Sequence, residues 1–114
     1  MGRSRAEASA ERHGKPLRCR AVEIRRLEWD HSSRAKLRAH RIAPWEVRSI
    51  LAADDWVVVV HPDYPEQVRI IGPTRDGRML TIALAPTRDA TVWRPVTGWR
   101  TTRTEMAYYR EQHR

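Results

Sequence analysis

Arginine dominates the groups in this chain that could do chemistry. Of the 22 basic side chains only Lys15 and Lys36 are lysines. The planar guanidinium fork matches two phosphate oxygens at once, so such a surplus suits phosphate recognition. A GC-rich coding bias gives the same skew with no functional meaning, and composition does not separate the two. Arg94 stands with Val92 and Val96 on one face of a strand-like run. It is therefore either paired with an acid or aimed into a cleft. Arg69 shares a strand face with Gln67, and Arg75 and Arg78 flank a hairpin tip. His40, with a free pKa near neutrality, suits either proton transfer or a structural place at a helix end. His61 closes a strand, and Glu66 is the carboxylate best placed to act as a base.

Cleaving RNA without metal needs groups of these types. A base deprotonates the 2′-hydroxyl, cations stabilise the phosphorane, and an acid protonates the leaving oxygen. Trp93 and Trp99 alternate across Pro95 and form either a base-stacking platform or packing beneath a helix; Trp99 alone would serve as a partner-binding anchor. Tyr108 either stacks on bases or packs, whereas Tyr109, in line with Met106, reads as core. No Cys/His cluster has the spacing of a metal site, and no helix-turn-helix spacing supports a DNA-binding regulator. No cofactor is expected.

The elements that must position these groups follow from periodicity. Residues 22–29 read as a short strand. Asp30 can cap a helix from about His31 to Arg41, with Leu37 and His40 inward. Pro44 suits the first turn of a second helix, in which Val47, Ile50 and Leu51 make one apolar face. Trp56 to His61 is β-branched and reads as a central strand buried on both faces. A second strand (68–72), an Asp76-Gly77 hairpin, a returning strand (79–84) and a last strand (91–97) complete a meander. Pro95 demands an edge or a bulge there. Thr102 and Glu105 match a capping box that starts a helix to about Gln112. The expected fold is α+β: an antiparallel sheet of four to five strands, two helices before it and one C-terminal helix, with the helices on one face. Trp29, Trp45 and Trp56 are expected in the core.

At 114 residues the chain is one domain. Its longest apolar run, Trp56 to Val60, is far short of a bilayer span, and the basic N-terminus has no apolar stretch behind it. The single cysteine, Cys19, has no internal partner. These features point to a reduced, cytoplasmic, metal-free protein with no membrane association. The net charge is +8, and residues 1–20 carry half of it, with six basic and two acidic side chains. That segment reads as a disordered basic arm that either touches phosphate or is merely solvated, ahead of a single domain at 21–114.

In order along the chain, Leu27-Glu28-Trp29-Asp30, Leu37 to Ile42, Trp45-Glu46-Val47, Ile71-Gly72, Gly77 to Ile82, Val92 to Thr97, and Thr102, Glu105 and Tyr108 resemble the BrnT family of toxins. Those proteins open with an aromatic-Glu-Trp-Asp strand end and a Lys-His-Gly-Val helix end. The resemblance implies a RelE-like fold, metal-independent ribonuclease activity that arrests translation, and a small antitoxin as partner. It places His40 on the helix-end histidine, Glu66 on an acidic position, Arg78 on the hairpin arginine, and Arg94 and Thr97 on the last strand's Arg and Ser. Arg69 stands in for a family arginine replaced by Gln67. Trp99 replaces another, with Arg100 beside it. The implied catalytic set is Arg69, Arg94, Glu66 and His40, with Arg75, Arg78, Arg100, Trp99 and Tyr108 touching RNA. The alternative is an inactive relative that binds RNA or protein.

Overall fold

The computed structural model describes residues 18–19, 22–60 and 63–112. Its centre is a four-stranded antiparallel meander: β3 (Val57–Val60), β4 (Val68–Pro73), β5 (Met79–Pro86) and β6 (Val92–Arg100). Two two-residue strands extend it. β1 (Arg18–Cys19) lies antiparallel on β3, and β2 (Arg26–Leu27) lies parallel to β6. The six strands run in the order β1-β3-β4-β5-β6-β2. Three helices complete an α+β fold: α1 (His31–Ala39), α2 (Pro44–Ala53) and α3 (Arg103–Gln112).

Local chemistry sets these limits. The Asp30 carboxylate accepts the Ser33 amide at 2.7 Å and starts α1. Glu46 reaches back to the Ala43 amide at 3.0 Å while Pro44 opens α2. Thr102 and Glu105 satisfy each other's backbone amides ahead of α3, the reciprocal arrangement expected of a capping box. Gly77, at φ +88°, turns the β4–β5 hairpin where an L side chain would be strained. Pro95 falls at a bulge: Ala83 pairs with Thr97 but Leu84 pairs with Pro95.

The helices do not share one face of the sheet, as the meander suggested. Leu37, Ile42, Val47 and Ile50 from α1 and α2 pack with Val58, Ile70, Leu80 and Ile82 on one face. Tyr108 of α3 packs with Val59 and Ile71 on the other. The valines of β3 are apolar on both sides, so neither face can be left wet, and α3 closes the second. The basic segment 1–20 contributes residues 18–19 to the sheet, and the rest of it lies outside the described residues. Among the described residues, no helix is long and apolar enough to cross a membrane.

Candidate functional site

Arg69 and Arg94 point to the α3 side of the sheet, because they pair with Ala83 and Ala85, two residues apart on β5. Strand spacing and rise put their Cα atoms about 12 Å apart over a floor of small side chains. Each lies near a different acid. The Arg69 guanidinium lies 3.8 Å from Glu105 and stacks 5.2 Å from the centre of the Trp99 ring. Arg94 lies 3.8 Å from Asp30.

Glu105 is the hub of this face. Its side chain is 6% exposed. It accepts from the Thr81 hydroxyl at 2.9 Å, the Trp99 indole at 3.1 Å and the Thr102 amide at 2.9 Å. Trp99 is thus engaged on its ring edge by the carboxylate and on its face by Arg69. Hydrogen bonds from the Ser33 amide and hydroxyl hold the Asp30 carboxyl below the usual carboxylate range, and the nearby Arg94 adds to this.

Several expected site residues lie elsewhere. His40 is exposed at the end of α1, across the sheet from Arg69, not inward beside Leu37. Glu66 is exposed in the loop before β4 and makes no ion pair among the described residues. His61 lies outside the described residues. Arg100 pairs with Leu80, on the opposite face from Trp99, because Gly98 sits in regular register and re-aims nothing. Tyr108 is 7% exposed and belongs to the α3 core, so it offers no ring to RNA. Its neighbour Tyr109, expected in the core, is half-buried and donates its hydroxyl to the Asp55 carbonyl at 2.9 Å. Burial, then Asp55, pushes the Tyr109 phenol up to about 12. Trp93 is core as well, its indole donating to the Glu23 carbonyl at 3.1 Å.

The other side of the molecule carries a group of exposed cations. Arg34, Arg38 and Arg41 line a hollow of about 320 Å³ with Ile42, Ala43, Pro44 and Glu46. Arg78 reaches its border, donating to Glu46 at 3.0 Å and to the Arg41 carbonyl at 3.4 Å. Arg75 lies 5.7 Å from the ring centre of Trp45, which is 40% exposed and not in the core as expected. Sequence reading singled out Arg75 and Arg78 but not the row on α1. The spacing 34, 38 was the available signal, since it places two arginines on one helical face one turn apart, with Arg41 just past the helix end.

No family model matches this chain. Nor does any curated protein sequence. Among the described residues no group of three or more His, Cys, Asp or Glu side chains is placed to hold a metal ion.

Proposed function

We propose that this chain is a BrnT-like, RelE-like domain that binds RNA through its arginines without cleaving it. One observation carries the reading: three of the five arginines the resemblance assigns to catalysis and RNA contact, both catalytic ones among them, each lie against a different carboxylate. Arg69 meets Glu105, Arg78 meets Glu46, and Arg94 meets Asp30. A metal-free ribonuclease needs base, cations and acid around one phosphate. Here His40 lies across the sheet from Arg69, and Trp99, at a position the family usually fills with arginine, holds Arg69 and Glu105 together.

The ribonuclease-toxin reading keeps one observation in its favour, the two arginines sharing a sheet face over Ala83 and Ala85. The test is incubation of purified protein with end-labelled mixed-sequence RNA, with and without EDTA. Wild type is expected to retard the RNA and leave it intact. EDTA-resistant cleavage that disappears in Arg69→Ala and Arg94→Ala would establish the toxin activity instead. A small antitoxin belongs to that second reading, and co-purification with the product of an adjacent short reading frame checks it.

A further inference from the structure

The geometry points to a phosphate-backbone site in the hollow between α1 and the start of α2, distinct from the sheet face and fitted to single-stranded RNA. The inference rests on the RNA-binding reading above and names the surface that does the binding. Arg34 and Arg38 stand one turn apart on α1, so their Cβ atoms stack about 5–6 Å apart on one helical face, and Arg41, just past the helix end, lines the same hollow. Among the described residues none of the three pairs with a carboxylate. The one acid lining the hollow, Glu46, has both oxygens occupied: Oε1 by the Ala43 amide and Oε2 by Arg78. Its charge is spent on Arg78, and the three arginines stay without a carboxylate among the described residues.

Arg41 supplies a second, independent observation. α1 ends in a Schellman turn: the Ile42 amide donates to the Leu37 carbonyl at 2.9 Å and the Arg41 amide to Arg38 at 2.8 Å. The residue at Arg41 must then be left-handed, and it is, at φ 59°. Glycine is the favoured occupant of that position. An arginine is held there at a cost to folding, with its side chain on the wall of the hollow. Trp45, which falls in sequence between the lining residues Pro44 and Glu46, is 40% exposed with Arg75 over its ring. A cationic row next to an exposed indole fits a strand whose backbone follows the arginines and whose unstacked base meets the ring. An acidic peptide would use the cations and leave the indole idle.

Binding of a short fluorescent single-stranded RNA to the full chain, by anisotropy across a salt series, tests this. Arg34→Gln/Arg38→Gln should lose tenfold or more in affinity and flatten the log–log salt slope by about 1.4. Arg88→Gln/Arg110→Gln, an equal charge change at other exposed positions, should lose less than twofold. Trp45→Ala should weaken binding with the slope unchanged. Arg41→Gly should raise the thermal midpoint while lowering RNA affinity severalfold, a split that a purely structural arginine would not give.

Equal losses in the two double variants would overturn the site in favour of diffuse charge. Retained binding in every hollow variant would overturn the site and leave the RNA reading standing. A wild type that ignores RNA would end both. Cleavage of the RNA, with binding still lost in the hollow variants, would end only the non-cleaving reading. Displacement of RNA by polyglutamate as readily as by unlabelled RNA would assign the hollow to an acidic protein.

Discussion

Glu105 brings a carboxylate into a place where its side chain is 6% exposed, and every partner it has there is a donor. The Thr81 hydroxyl, the Trp99 indole, the Thr102 amide and the Arg69 guanidinium converge on it from β5, β6, the cap of α3 and β4. Removing the carboxylate leaves buried donors without acceptors and Arg69 without its counter-ion. Glu105→Ala should cost about 3 kcal/mol, read as a fall in the urea midpoint, on the scale measured for breaking buried pairs. Glu105→Gln, which keeps one acceptor oxygen and the reach of the side chain, should recover part of that. Equal stability of Glu105→Ala and wild type would mean that the hub is incidental. Arg41 is the opposite case at the same scale. A left-handed non-glycine residue costs roughly 1–2 kcal/mol, so Arg41→Gly should stabilise by about 1 kcal/mol. A loss of stability in that variant would show the arginine serving the fold.

At the scale of elements, the pairing of Arg18–Cys19 with β3 changes what truncation should do. β3 is the run Val57–Val60, and its outer edge is covered in the described residues by those two residues alone. A truncated chain starting at residue 18 keeps that cover; one starting at residue 21 bares a β-branched edge. The longer deletion should lower stability by about 1 kcal/mol through lost ladder hydrogen bonds, and should raise aggregation on heating. Matched thermal midpoints and matched light scattering in the two truncations would dismiss β1. Neither edge strand was legible in its true form, because a two-residue pairing leaves no periodicity to read. The meander was legible, since Asp76-Gly77 and the Thr102/Glu105 box are chemical signals confined to a few neighbouring residues. The side taken by α3 was not. β3 and β5 are buried on both faces, and such strands look alike from either side. The swap of Tyr108 for Tyr109 in the core has the same origin: a one-residue step moves a side chain 100° around a helix, and Met106 alone did not fix the phase. For the site, residue types were legible and partners were not, because the acids facing Arg69, Arg78 and Arg94 lie at least 32 positions away in sequence.

At the scale of the whole molecule, charge and folding respond to pH over different ranges. Of the 22 basic side chains all but Lys15 and Lys36 are arginine, which stays charged beyond any pH at which the fold survives. RNA affinity at fixed salt should therefore stay nearly level from neutrality to about pH 10, where a lysine-built surface would already be fading. Folding fails sooner on both sides. Asp30 and Asp89 are lowered below 3.8, chiefly by the hydrogen bonds from Ser33 and Thr91. A depressed carboxyl stabilises the fold above its ordinary value and loses that contribution as pH falls through the lowered one, so an acid limb begins below about pH 4. Tyr109 has the reverse sign. Its phenol is raised from 10.0 to about 12 by burial and Asp55. The unfolded chain ionises first, and the contribution, full below pH 10, is lost as pH rises to about 12. Urea midpoints measured from pH 3 to 11.5 should form a plateau with both limbs, and Tyr109→Phe should flatten the alkaline one while leaving the acid limb in place. An alkaline limb unchanged in Tyr109→Phe would mean that the ring's hydrogen bond to the Asp55 carbonyl does not anchor α3 to the loop ahead of β3.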